Sequence, residues 1–200
     1  MIYKNVIPLA LKKKEHILWE ESDYEAKALI SEDKESLKEI LRAVVLEMFL
    51  KEKVAVCIGL GLLDIMLEKL QAQFPNDIFI RTIKPKEGFV LKPGAVVFCM
   101  TDQEDLIKLI EYWGTLDGIQ IIFPLDNCKE NLINMVSTDN YIYERHDFEV
   151  WNEIMSYAKV IITDTSIGDE FEIVHHKNDN LEPQLSKTIL EFPNISHNKE

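Results

Sequence analysis

The 200-residue sequence predicts an α/β fold, a single domain with a mixed, mainly parallel sheet flanked by helices and a C-terminal antiparallel hairpin. Two observations lead to this prediction. Short runs rich in β-branched residues alternate along the chain with segments of helical periodicity, as in repeated strand–helix units. Most of the predicted strands are also continuously apolar, as strands covered by helices on both faces are.

The predicted elements follow in order along the chain. Two short strands, residues 4–11 and 16–21, flank three consecutive lysines and precede a helix that Ser31 or Asp33 can cap. Further strands are predicted at residues 54–59, 77–83, 95–101, 118–123, 160–163 and 171–175. Further helices are predicted at residues 62–73, 103–113, 127–136 and 147–157. The last two strands form the hairpin.

A chain of this length can bury one sizeable core. We therefore expect a single domain over residues 1–178 and a partly disordered C-terminal tail over residues 179–200. Pro183 could open a short helix in that tail.

Charge is segregated along the chain. Residues 1–100 hold 15 Lys+Arg and 15 Asp+Glu, whereas residues 101–200 hold 7 and 20, so the whole net charge of −13 belongs to the second half. Such a field repels nucleic acid and anionic lipid and accelerates encounter with basic proteins. We expect a basic protein partner, and neither nucleic acid nor membrane.

The cellular compartment of the protein is predicted from its cysteines and from the length of its apolar runs. Cys57, Cys99 and Cys128 lie far apart, which is typical neither of a disulfide framework nor of a zinc site. No apolar run approaches the roughly 20 residues that span a membrane. We expect a reduced, cytoplasmic protein.

A strand, a glycine pair and a helix at residues 54–70 have the outline of a phosphate-binding loop. Gly59 and Gly61 occupy the first two positions of G-x-G-x-x-G, but Asp64 occupies the third, where its carboxylate would repel a phosphate. We interpret the pair as a tight strand-to-helix turn and expect no nucleotide and no other cofactor.

Three predicted strands are each followed by an aspartate: Asp102, Asp126 and Asp164. In a parallel sheet these carboxylates would share one edge and could hold Mg²⁺ for catalysis. A structural role is the other interpretation, because residues 101–104 and 127–130 each fit a capping box and Asp164 suits a hairpin turn. We favour the structural role, with no metal site and no catalytic residue.

Aromatic and acidic residues alternate late in the chain, a pattern that suits a protein interface with ring anchors and steering charges. Trp151 could instead belong to the core. The predicted partner-binding residues are Tyr143, Glu144, Asp147, Glu149, Trp151, Asp164, Asp169, Glu170 and Glu172. The neighbouring His175 and His176 should point to opposite faces of their strand, so they should not share one metal ion.

These observations favour an acidic, non-catalytic binding protein, an inhibitor or immunity-type protein that neutralises a basic partner such as a nuclease toxin. Two alternatives stay open at this stage. One is a metal-dependent phosphoryl-transfer or hydrolytic enzyme that uses the strand-end carboxylates. The other is a regulatory or assembly subunit, for which a homo-oligomer would be compatible.

Overall fold

The computed structural model describes residues 7–14, 23–31, 34–62, 64–74, 78–81, 94–111, 119–138, 148–164, 170–179, 181 and 195–197. Within these ranges the helices are α1 (Lys34–Glu52), α2 (Asp64–Gln73), α3 (Gln103–Glu111), α4 (Lys129–Val136) and α5 (Phe148–Met155). The strands are β1 (Ile7–Lys14), β2 (Tyr24–Ser31), β3 (Ala55–Leu62), β4 (Ile78–Arg81), β5 (Gly94–Met100), β6 (Gln120–Pro124), β7 (Ala158–Asp164), β8 (Glu170–His176) and β9 (Ile195–His197).

The strands form one sheet in the order β4-β5-β3-β6-β7-β8-β2-β1-β9. Among the described strands every pairing is antiparallel except that of β1 with β9, which is parallel over three residue pairs. The predicted mainly parallel sheet is therefore wrong. The α/β composition and the antiparallel hairpin of β7 with β8 are confirmed.

The strand–helix alternation is real, but its connections join strands that are not neighbours. β3 and β4, linked through α2, run in the same direction with β5 between them. β5 and β6, linked through α3, run in the same direction with β3 between them. The elements from β3 to β6 thus have the order and directions of a split β-α-β, or ferredoxin-like, motif. Each gap is filled by an antiparallel strand.

Helices cover both faces of the sheet, which explains the apolar strands without a parallel sheet. On the three-helix face, α1, α2 and α3 pack over alternate strand residues. The buried strand residues of this core include Cys57, Phe98, Met100, Ile121, Phe123, Ile162 and Ile173. On the two-helix face, α4 and α5 pack over the other alternate set. Its buried strand residues include Val56, Ile58, Val97, Ile122, Ile161 and Val174.

The long helix α1 confirms its sequence pattern. Leu37, Ile40, Leu41, Val44 and Val45 recur at the spacing of one helical face and are all buried in the three-helix core. No helix within the described ranges is long and apolar enough to cross a membrane.

The N-terminal prediction is partly wrong. β1 includes the lysines that were expected between the two predicted strands, and residues 24–31 form a strand that was not predicted. Ser31 ends β2, and Asp33 lies outside the described residues. β2 was not predicted because alanine, which stands at residues 26 and 28 of this strand, has low β-propensity. The predicted strand at residues 16–21 also lies outside the described ranges.

The C-terminal segment contributes to the fold at two described places. Leu181 packs against the three-helix core, and β9 pairs with the edge strand β1. The short helix expected after Pro183 lies outside the described residues, and the division of the chain at residue 178 stays a prediction.

Candidate binding surface

The strand-end aspartates do not converge. β5 and β6 run in the same direction, so Asp102 and Asp126 follow their strands at one end of the sheet. β7 runs antiparallel to β6, and Asp164 therefore ends β7 at the opposite end. About five residues of strand, at roughly 3.3 Å each, separate the two ends. The geometry for three carboxylates on one metal ion is not formed.

Asp102 has a structural contact that accounts for its position. Its Oδ1 accepts hydrogen bonds from the backbone N–H groups of Glu104 at 2.8 Å and Asp105 at 3.2 Å. It therefore caps the N-terminus of α3. The capping box predicted over residues 101–104, in which Thr101 would be the cap, is not the arrangement that forms. The Asp105 carboxylate lies 2.7 Å from Lys108 Nζ, one turn further along the helix.

The second predicted capping box, residues 127–130, is wrong. Asn127 lies in a turn with a left-handed φ of 64°, and the helix α4 begins after Cys128 without a side-chain cap. The Cys128 N–H donates to the Leu125 carbonyl at 3.0 Å and closes this turn around Asp126 and Asn127. Asparagine tolerates this backbone conformation better than most residues, so its presence here reflects turn geometry.

The glycine pair lies inside β3, not in a loop. Gly59 pairs with Val96 of β5, and the register shifts between Leu60 and Leu62 around Gly61. Glycine within a strand is typical of such a bulge. The interpretation of the pair as a strand-to-helix turn is wrong, since the strand continues to Leu62 and α2 begins at Asp64.

Among the predicted partner-binding residues, those in α5 are described most fully. Glu149 is exposed, and Trp151 is half-buried against the two-helix core. The buried residues of α5 are Val150, Ile154 and Met155. Trp151 therefore flanks the packed face of α5. Tyr143, Glu144, Asp147 and Asp169 lie outside the described residues.

The other predicted partner-binding residues lie where β7 meets β8. Asp164 and Glu170, whose backbones alone are described, are the last residue of β7 and the first of β8. Glu172 follows two residues later and is half-buried. α5 turns into β7 at Ser156 and Tyr157 and packs against that strand, so the first turn of α5 points toward this same end of the sheet.

A polar row on the two-helix face was not predicted from the sequence. Gln120 of β6, Thr163 of β7 and Glu172 of β8 pair in register as direct neighbours on three adjacent strands. Gln120 is only 5% exposed, and its Nε2 donates a long hydrogen bond of 3.5 Å to Thr163 Oγ1. Thr163 and Glu172 are half-buried. We call these three residues the polar row.

The histidine pair behaves as predicted, with its members on opposite faces. His175 is fully buried beside Glu25, with Nε2 3.2 Å from Glu25 Oε1 and Nδ1 2.8 Å from the His176 carbonyl oxygen. The His176 ring meets the Tyr24 ring edge-on at 4.9 Å, and Tyr24 packs against the two-helix core. Burial, reinforced by the Asp23 carboxylate, raises the pKa of Tyr24. The contact of His175 with Glu25 and that of His176 with Tyr24 both connect β8 with β2.

The described residues contain no group of three or more His, Cys, Asp or Glu side chains placed to hold a metal ion. Comparisons of the chain with protein-family models, with curated proteins and with solved structures gave no match. The ferredoxin-like arrangement is shared by proteins of many functions, so the candidate function has to be argued from the surface itself.

Proposed function

We propose that this protein is an acidic, non-catalytic binding protein of the inhibitor or immunity type, which neutralises a basic protein partner such as a nuclease toxin. The observation that supports this most directly is the position of Glu153. It is an exposed carboxylate at a site where helix stability alone favours a neutral or basic side chain.

Two electrostatic effects act against Glu153. Glu149 and Glu153 are four residues apart on the exposed side of α5, and like charges at this spacing destabilise a helix by about 0.2–0.5 kcal/mol. Glu153 also lies in the last turn of α5, which holds no basic residue, whereas the helix dipole favours a cation there. A cationic partner seated on α5 would reverse both effects.

The net charge of the second half of the chain is negative, like the carboxylates of α5. Residues 101–200 hold the whole net charge of −13, and α5 lies within them. A negative surface of this kind accelerates encounter with a basic protein. We place this binding in the cytoplasm, because Cys57, Cys99 and Cys128 form no disulfide bond with one another and disulfide bonds are rare in reducing compartments.

The substitution Glu153→Gln tests the role of this carboxylate. We expect the free energy of unfolding to rise by a few tenths of a kcal/mol, because both unfavourable effects on α5 are removed. Binding to a basic partner should weaken in the same variant. Glu130→Gln is the matched control, because Glu130 lies in the first turn of α4 where a carboxylate suits the dipole, so stability should fall slightly.

The functional assay is inhibition of a panel of purified basic nuclease domains, measured as substrate cleavage against added protein. We expect stoichiometric inhibition of at least one member at low salt, and loss of that inhibition in a Glu149→Lys, Glu153→Lys double variant. If no basic domain binds, or if binding is indifferent to both substitutions, α5 is not the interface and the proposal fails.

A further inference from the structure

We propose that His175 and Glu25 form a pH-sensitive link between β8 and β2, in which the buried imidazole carries a proton on both ring nitrogens and pairs with the carboxylate. The link lies where two parts of the sheet meet. On one side β8 is joined through β7 to the ferredoxin-like elements, and on the other side β2 carries β1 and β9. The link is a device of the fold and does not rest on the proposed function.

Each ring nitrogen of His175 faces an oxygen that accepts hydrogen bonds. Nδ1 lies 2.8 Å from the backbone carbonyl oxygen of His176, and Nε2 lies 3.2 Å from Glu25 Oε1. A carbonyl oxygen has no proton to give, so Nδ1 is the donor in the first contact. In a neutral imidazole Nε2 would then turn its lone pair toward the carboxylate, and the two would repel. A second proton, on Nε2, converts this repulsion into an ion pair.

Burial makes the position of that proton important. The His175 side chain is fully buried, whereas the Glu25 side chain is 20% exposed. Burial by itself disfavours the imidazolium, and the carboxylate at 3.2 Å opposes that effect. Because Glu25 still reaches water, its carboxylate remains the anion of the pair, and the proton stays on His175.

Other charged groups surround the pair, but they are engaged elsewhere or occur with both signs. The titratable side chains described on the surrounding elements are Asp23 and Tyr24 on β2, Lys38, Glu47 and Glu52 on α1, Lys159 on β7, and His176 and Lys177 on β8. Lys159 forms an ion pair with Glu52, and the residue of β7 directly opposite His175 is the buried, apolar Val160. Glu25 is the group that the structure places against Nε2, so its charge determines the protonation of His175.

The link makes stability depend on pH in a definite direction. A histidine in the unfolded chain loses its proton near pH 6.5. Folded His175 keeps its proton to a higher pH, so above about pH 6.5 the folded state holds one proton more than the unfolded state. The stabilisation is fully present below about pH 6.5 and is lost as the pH rises through the value at which folded His175 deprotonates. Within this window the folding equilibrium constant falls by up to about tenfold per pH unit.

The direct test is the protonation of the His175 ring in the full chain, measured from its two ring ¹⁵N chemical shifts between about pH 5.5 and pH 9. At pH 7.5 we expect the two nitrogens to have the similar shifts of an imidazolium. The same ring in the urea-unfolded chain should titrate near pH 6.5. Two clearly separated shifts at pH 7.5 in the folded protein, as a neutral ring gives, would overturn the inference.

The substitution Glu25→Gln separates charge from packing. A carboxamide has the shape of a carboxylate and can donate an N–H to a neutral Nε2, so the variant suits an uncharged His175. We expect the His175 ring of this variant to be neutral at pH 7.5. Urea unfolding should also show that the fall in the folding equilibrium constant between about pH 6.5 and pH 8.5 is lost.

Glu130→Gln is the matched control, because it removes the same single charge from an exposed site on α4 and should keep the pH dependence of the unchanged protein. If Glu25→Gln keeps that dependence as well, Glu25 does not hold the proton and the inference fails. If Glu25→Gln does not fold, the ring shifts of the unchanged protein decide the question alone.

Discussion

Asp102 follows a strand, a position that also suggests catalysis, but its side chain stabilises the fold by capping a helix. Its Oδ1 accepts from two backbone N–H groups at the start of α3. We expect Asp102→Ala to lower the free energy of unfolding by about 1 kcal/mol, and Asp102→Asn to lower it much less, because asparagine caps nearly as well. Denaturant unfolding of both variants tests this, with Thr101→Ala, one residue earlier and exposed, as the control. Equal losses in the alanine and asparagine variants would show that charge, not capping, is what matters.

Cys57 should make stability fall at alkaline pH. Burial, together with the neighbouring Cys99 thiol, raises the pKa of the Cys57 thiol in the folded state. A thiol in the unfolded chain ionises near pH 8.5, so above that pH the folded state retains a proton that the unfolded state loses. The stabilisation is fully present below about pH 8.5 and declines above it, with a slope that approaches about 1.4 kcal/mol per pH unit.

The variant Cys57→Ala separates this titration from packing. It should be less stable at neutral pH, because a buried side chain is shortened, but its stability should decline less steeply between about pH 8.5 and pH 10. Denaturant midpoints across that pH range give both quantities. Parallel declines in the two proteins would rule out Cys57 as the titrating group.

Single residues also mark the limits of prediction from sequence. The pattern D-x-x-D at Asp102 and the pattern N-x-x-E at Asn127 both follow a strand, yet one caps a helix and the other forms a turn. Local sequence offers both outcomes, since aspartate and asparagine serve in caps and in turns alike. The polar row was missed for a different reason. Its three residues come from three strands, and only the register brings them together.

At the scale of elements, a substitution in α5 distinguishes a core role of Trp151 from an interface role. Trp151 is half-buried beside the packed residues Val150 and Ile154. We expect Trp151→Ala to lower the free energy of unfolding by about 2 kcal/mol, less than the roughly 3–5 kcal/mol of a fully buried tryptophan. Glu149→Ala, an exposed neighbour, should change it by no more than about 0.5 kcal/mol. Unchanged stability together with faster dissociation of a partner would instead identify Trp151 as an interface anchor.

Elements were predictable where burial is strong. The strands β3, β5, β6 and β7 are apolar runs, and the structure places each of them, and the hairpin strand β8, close to its predicted range. β2 was missed because its pattern, Tyr-Glu-Ala-Lys-Ala-Leu-Ile-Ser, has weak β-propensity and owes its strand conformation to pairing with β1 and β8. The conformation of such a strand depends on the strands that pair with it, and the short stretch of sequence used for prediction does not contain them.

At the scale of the whole molecule, strand direction was the feature that sequence did not determine. An apolar strand indicates that helices cover both faces, and this holds for β3 and β5 although they are antiparallel. The alternation of strands and helices indicates crossovers, but a crossover can skip a strand position. The position between β3 and β4 is filled by β5, which arrives later in the chain. Direction therefore follows from the pairing of distant segments.

The net charge of −13 predicts opposite effects of salt on folding and on association. Repulsion among surface carboxylates destabilises the compact state, and salt shortens the Debye length from about 30 Å at 0.01 M to about 8 Å at 0.15 M. We therefore expect the melting temperature to rise over this range of ionic strength. Association with a basic partner should slow over the same range, because the same screening removes the steering field. Thermal unfolding and stopped-flow mixing in matched buffers measure the two effects.

A melting temperature that falls with added salt would show that attractive ion pairs, such as that of Lys159 with Glu52, outweigh repulsion across this surface. An association rate independent of salt would remove the role proposed for the acidic half of the chain.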